Sequence, residues 1–227
     1  MSNEAFRSDW ATRFGTSEPK IVCVGLNYSD HTDESGFEAP KAPLLFGKFA
    51  NTLCGDGDAI VLPREGGHVD AEAELAVVIG KVASQVSADA ASDAIAGYIC
   101  ANDVSHRDIQ FAEGQWFRGK GFDTFCPLGP RVVLAGDLDP SDLRIQQRLN
   151  GELLQDSRTS NLIFDIPYLV SFVSQTITLE PGDLILTGTP VGVGVFREPK
   201  VALRPGDVVE IEIEGIGILR NEARAAA

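Results

Sequence analysis

A chain of 227 residues, 44% hydrophobic and 23% charged, has ordinary globular composition and enough length for one domain with a sizeable core. Its 33 acidic residues outnumber 19 basic ones, and no run of Lys or Arg supplies the basic stripe that phosphate backbones require, which excludes nucleic acid as a partner. The N-terminal MSNEAFRSDWATRFG lacks a signal-peptide core and no stretch is long enough to cross a membrane, so a cytoplasmic location without a membrane partner is expected.

Residues 1–19 read as a short polar lead-in, and 20–227 as a single domain. The run KIVCVGL (20–26) is β-branched and compact, as is Ala59 to Leu62, and a longer strand is predicted from Val69 to Gly80. Alanine-rich Ala88 to Ala96 predicts a helix stopped by Gly97, followed by a strand over Tyr98 to Asn102 and a short helix from Val104 through Phe111. Asn150-Gly151 between RIQQRL and ELLQDS is a hairpin signal, because both residues tolerate positive φ. Ile166, Leu169, Val170 and Val173 fall at helical spacing with Pro167 in the first turn, which predicts a helix over 165–174. Two similar units, LEPGDLIL and LRPGDVVEI, read as turns leading into two strands of one sheet system. Many strands and few helices argue for an α+β fold dominated by sheet. The dispersed Cys23, Cys54, Cys100 and Cys126 contain no CxxC pair and are expected to be reduced, buried thiols.

The chemistry is concentrated in four stretches. In the strand around DAEAELAVVIG, alternation places Asp70, Glu72 and Glu74 on one face while the strand turns apolar beyond them. Carboxylates crowded on a strand entering the core repel unless a cation compensates, and a hard divalent ion takes such oxygens. A solvated acidic face gives the same pattern. Asp103 ends the hydrophobic run YICAN, and Arg107 and Gln110 follow at helical spacing as a candidate anion clamp; an ordinary Asp103–Arg107 ion pair is the alternative. His31 and Glu34 are one helical turn apart, spaced for the Glu to orient the imidazole as a base. Lys120 lies between Gly119 and Gly121, where a backbone can approach a ligand and an ammonium can meet an oxyanion. The Gly-rich stretch TGTPVGVG (187–194) has neither the phosphate-loop ending nor GxGxxG spacing, which argues against a nucleotide.

Taken in order, GLNYSDHTDE, DAEAELAVVIGK, ANDVSHRDIQ, GKGFDTFCPLGP, NLIFDIPYLVSF and PGDLILTGTPVGVG resemble the fumarylacetoacetate hydrolase superfamily over roughly residues 20–222. The resemblance implies that family's sheet-dominated mixed β-roll with few short helices, and a homodimer. It implies Glu72, Glu74 and Asp103 as ligands of Mg²⁺ or Mn²⁺, and Lys120 as the group that stabilises an enolate. Arg107, Gln110 and Thr189 would contact a small 2-oxo acid substrate, and His31 with Glu34 would form a dyad that activates water. Two departures stand out: Leu26 replaces an Arg found in some acylpyruvate-hydrolysing relatives, and His106 replaces a small residue and is expected to crowd or tune the pocket. The leading expectation is metal-dependent hydrolysis of a C–C bond in an acylpyruvate-type 2,4-dioxo acid. The alternatives are decarboxylation of an oxaloacetate-type acid, isomerisation or hydration of an unsaturated dioate from aromatic catabolism on the same site, and, more remotely, a non-catalytic metal-binding module.

Overall fold

The computed structural model describes residues 3–31 and 40–226. Its frame is two sheets. The larger has the strand order β2-β1-β12-β6-β7-β9-β3, and the smaller β11-β10-β13-β14-β4. The strands of the first are β1 (Ile21–Gly25), β2 (Leu44–Lys48), β3 (Leu53–Gly55), β6 (Ala73–Ile79), β7 (Ile95–Asn102), β9 (Cys126–Leu134) and β12 (Leu184–Leu186). Those of the second are β4 (Ala59–Leu62), β10 (Arg144–Leu149), β11 (Glu152–Arg158), β13 (Val208–Ile213) and β14 (Gly217–Ala225). A two-stranded ribbon pairs β5 (Val69–Asp70) with β8 (Ser105–His106). Parallel and antiparallel pairs mix: β1 runs parallel to β12, and β12 antiparallel to β6. This is the sheet-dominated mixed β-roll anticipated from the sequence.

Strand β6 shows why its run is apolar on both sides. Leu75, Val77 and Ile79 pack into a main core shared with Ile145, Ile211 and Ile213 of the smaller sheet, while Ala76 and Val78 face a second core. Burying each of the larger side chains contributes about 1.5–3 kcal/mol. The second core is closed by a helix, α1 (Asn3–Phe14), whose Trp10 is buried against Cys23, Leu53 and Leu184 and donates its indole N–H to the Gly182 carbonyl at 3.1 Å. The expected polar lead-in is thus a docked helix: Phe6, Trp10 and Phe14 recur every fourth residue, Phe6 stacked on Trp10 and Trp10 tilted against Phe14.

Other expectations are revised. The strand expected over Val69–Gly80 is broken, with β5 ending at Asp70 and β6 starting at Ala73. The alanine-rich helix is a single turn, α2 (Ala88–Ala91), with a 3-10 turn over Ser92–Ala94, because Ile95 already begins β7. Gly97 is no helix stop; it lies in β7, where a Cβ would come within 2.0 Å of the Val133 carbonyl oxygen. The two Pro-Gly-Asp units start strands of different sheets, β12 and β13. Their turns are nevertheless alike: Asp183 accepts the Glu180 N–H and Asp207 the Arg204 N–H, each at 2.7 Å, with Gly182 and Gly206 at φ near +90°. The Asn150-Gly151 turn joins β10 to β11 with φ of 52° and 85°. Helices α3 (Arg107–Ala112), α4 (Phe117–Lys120) and α5 (Ile166–Ser174, capped by Asp165 and with Pro167 in its first turn) complete the frame. No described helix is long and apolar enough to cross a membrane.

Candidate metal and enolate site

The end of β6, the end of β7 and helices α3 and α4 meet beside β1 and the Thr187–Pro190 loop, enclosing a cavity of about 210 Å³. Its wall includes Glu72, Glu74, Asp103, Arg107, Gln110, Lys120, Thr189 and His31 on the polar side, and Val24, Leu26, Phe46, Phe111, Trp116 and Phe196 on the apolar side. Glu72, Glu74 and Asp103 are buried, and one carboxylate oxygen of each lies within 4.8 Å of the other two. The pairing of β6 with β7 brings them together: Ala73 faces Asn102, and the Asp103 N–H is donated to the Glu72 carbonyl at 3.0 Å.

Lys120 is only 2% exposed, so it is no solvated loop lysine. Its ammonium donates to Glu72 Oε2 and Asp103 Oδ2, both at 2.7 Å, and to Ser105 Oγ at 2.6 Å. Burial alone would lower its pKa, but the Asp103 and Glu72 charges more than offset that and hold it above the usual lysine range. It is therefore a cation and a donor at neutral pH. Arg107 does not pair with Asp103. Its Nε donates to Asp70 Oδ1 and one terminal nitrogen to Glu72 Oε1, both at 2.6 Å, while the other terminal nitrogen donates to Gln110 Oε1 at 2.8 Å.

The two glutamates titrate in opposite directions. Burial pushes the Glu72 carboxyl up, yet the adjacent Arg107 and Lys120 cations and their hydrogen bonds leave it below the usual carboxylate range. Glu74 is held well above that range by burial and then by the Asp103 and Glu72 charges, with only partial relief from Lys120 and from the Gly188 N–H donated to Oε2 at 2.8 Å. Gly188 has φ +104° and would place a Cβ 2.9 Å from that of Asn27, so the close backbone approach needs glycine.

Three further groups shape the site, and of these only Asp70 was singled out in the sequence. Lys48 is fully buried behind Asp103, with Nζ 2.6 Å from Oδ1 and donating to the carbonyls of Val104 and Phe125 at 3.1 and 2.6 Å. Asp70 fixes Arg107 and accepts the Val195 N–H at 2.8 Å. Gln155 reaches in from β11 to Ala73, Thr189 and Pro190. A lysine inside the apolar run LLFGKFA was the available signal for Lys48; Gln155 left none beyond a polar residue in a strand.

His31 is buried in the cavity wall, its ring edge-on to Phe196 at 5.7 Å. Glu34, the other half of the expected dyad, lies outside the described residues. Leu26 lines the cavity as expected, but His106 does not: its ring stacks on Phe122 and its Nε2 sits 2.9 Å from the Gly66 carbonyl oxygen.

The fumarylacetoacetate (FAA) hydrolase C-terminal family model matches residues 20–224. The chain belongs to this family. An uncharacterized protein of Methanocaldococcus jannaschii is 52% identical over 202 residues, covering 89% of this chain and 81% of that one. The mitochondrial oxaloacetate tautomerase Fahd2a of Rattus norvegicus is 48% identical over 209 residues, covering 91% of this chain and 67% of that protein. Among solved structures, 5-carboxymethyl-2-hydroxymuconate delta-isomerase from Mycobacterium smegmatis superposes with a TM-score of 0.83 at 46% identity, covering 92% of this chain and 79% of the other. The 2-hydroxyhepta-2,4-diene-1,7-dioate isomerase from Mycobacterium marinum gives 0.82 at 45% identity, covering 92% and 75%.

Members of the fumarylacetoacetate hydrolase family depend on divalent metals, and the donor set here fits a hard one. Among the described residues, the four acids Asp70, Glu72, Glu74 and Asp103 meet three cations, Lys48, Arg107 and Lys120, so Glu74 is left to keep its proton or to share a further cation. A buried excess charge is costly, and an oxygen-only donor set is what Mg²⁺ or Mn²⁺ takes. Glu72, Glu74 and Asp103 are the residues that would hold it.

Proposed function

We propose that this family member interconverts the enol and keto forms of a small 2-oxo acid of the oxaloacetate type. The observation that carries the reading is the Lys120 ammonium, buried and held between two of three converging carboxylates at the wall of a small cavity. Enol-to-keto conversion removes the proton from the 2-hydroxyl and adds one to carbon 3. A fixed ammonium beside the 2-oxygen stabilises the negative charge between those steps. A bound divalent ion would supply Lewis acidity that makes the enol hydroxyl more acidic. In this reading Arg107 and Gln110 orient the acid, the apolar wall of Leu26, Phe46 and Trp116 limits water, and His31, which lines the same cavity, carries the proton at carbon 3. The names borne by the rat tautomerase and the two mycobacterial isomerases support a reaction that needs enolisation and no added water.

Hydrolysis of an acylpyruvate remains the second reading, favoured by the burial of His31 at the cavity, where an imidazole can also activate water. It uses the same enolate as leaving group. One experiment separates them: the decay of enol-oxaloacetate absorbance is followed with Mg²⁺ and with EDTA, and pyruvate release is measured in parallel from acetylpyruvate and from oxaloacetate. Metal-dependent acceleration of enol decay without pyruvate supports tautomerisation. Pyruvate from acetylpyruvate installs the hydrolase reading instead, and pyruvate from oxaloacetate the decarboxylase. Inactivity on all three sinks the assignment.

A further inference from the structure

Gln155 is completely buried on β11, across from Gln147 of β10, and its amide is locked from both ends. Its Oε1 accepts the Ala73 N–H at 2.9 Å, and its Nε2 donates to the Pro190 carbonyl at 2.8 Å. Turning the amide over would set N–H against N–H and oxygen against oxygen, so two backbone groups decide which way it points. The second hydrogen on Nε2 is then directed to Thr189 Oγ1, at 2.9 Å. A hydroxyl that accepts in this way keeps one hydrogen of its own to donate, and Thr189 lines the cavity with Glu72, Glu74, Asp103 and Lys120.

We propose that Gln155 is a positioning residue that turns Thr189 into a hydrogen-bond donor toward an anionic oxygen of the ligand, while tying the ligand strand to the Thr189 loop. The tie is direct: Ala73 sits between Glu72 and Glu74, so one side chain from the smaller sheet spans the metal-ligand strand and the loop after β12. Direction matters because a carboxylate or enolate ligand is acceptor-only. A Thr189 hydroxyl free to rotate presents its lone pairs to that ligand part of the time. Arg107 and Lys120 already spend donors on Asp70, Glu72 and Asp103, so an added donor in the cavity wall has weight. The inference rests on the reading of the cavity as a 2-oxo acid site.

The test is a double-mutant cycle on oxalate affinity, measured by calorimetry on full-length protein saturated with Mg²⁺, with Mg²⁺ affinity and melting measured separately. Gln155→Met keeps the volume and removes the amide; Thr189→Val keeps the shape and removes the hydroxyl. Each is expected to weaken oxalate about fivefold, the scale of one net hydrogen bond, with Mg²⁺ affinity held within about twofold. The double variant should bind oxalate no worse than Thr189→Val alone, since Gln155 acts through that hydroxyl. If Gln155→Met does not fold, Gln155→Glu enters the same cycle. Losses that simply add, or a Thr189→Val variant with wild-type oxalate affinity, overturn the proposal while leaving the site reading intact. Wild-type protein that takes Mg²⁺ but no oxalate overturns the site reading and this proposal with it.

Discussion

Arg107 and Arg144 make nearly the same bond, and the molecule uses the two differently. Each guanidinium meets a carboxylate at 2.6 Å, Arg107 with Glu72 in the cavity and Arg144 with Asp156 on the outer face of the smaller sheet. The first pair is 4% and 7% exposed and the second 52% and 36%. Distance therefore does not separate them; solvent does. On the open face, water and salt solvate each partner as well as the other partner does. In the cavity, every charge depends on its neighbours, and removing one leaves another stranded.

That contrast can be broken at several points. The largest effect is expected from Glu72→Gln, which takes a donor from the metal site and a partner from both Arg107 and Lys120. Mg²⁺ affinity should fall by more than about 100-fold, since even residues that only support metal ligands are worth 10–100-fold; calorimetry with retained binding would remove Glu72 from the ligand set. Next, Lys48→Met should destabilise the metal-free protein by about 3–5 kcal/mol in urea unfolding, because Asp103 is left as a buried charge with one ammonium fewer. A loss well under 1 kcal/mol would mean that Asp103 takes up a proton instead. Asp70→Asn, which loosens Arg107 but leaves the three acids, should raise KM about tenfold with kcat largely retained. An equal fall in kcat would place Arg107 in the chemical step.

Smaller still is the response of the thiols. Burial pushes the Cys100 and Cys126 pKa values up to about 12, and those of Cys23 and Cys54 also rise, so the thiolate fraction at pH 8 is minute. Native protein should not colour a disulfide reagent at pH 8, whereas urea-unfolded protein should titrate all four cysteines; prompt native reaction would show that the interior opens readily. At the bottom of the scale, Arg144→Ala should leave the unfolding midpoint unchanged, and a measurable loss there would erase the contrast from which these expectations come.

Much of the site was legible in the sequence because its residues sit in contiguous motifs whose chemistry is unusual for their setting. Glu72 and Glu74 lead an apolar strand, Asp103 ends another, and Lys120 is framed by glycines; the structure brings these four together. Arg107 was placed at the site beside Gln110, but its partners Asp70 and Glu72 were not foreseen, and the alternative of an Asp103 pair fails because a two-residue strand intervenes. Lys48 and Gln155 were missed for a different reason. Both act through contacts far away in the chain, Lys48 with Asp103 55 residues on and Gln155 with Ala73 82 residues back. Local periodicity carries no such information. The helix α1 was overlooked because its aromatics are set in a polar stretch, and only the second core gives them something to cover.

The paired Pro-Gly-Asp turns have a use of their own. The same four-residue device starts a strand in each sheet, with matching acceptor bonds and matching glycine geometry, but Asp183 is buried and also receives the Lys20 N–H, while Asp207 is partly open to water. One chain thus carries an experiment and its control: identical local wiring in two solvents. Whatever separates the two aspartates when each is replaced by alanine measures what the surroundings add to a bond whose atoms are arranged alike.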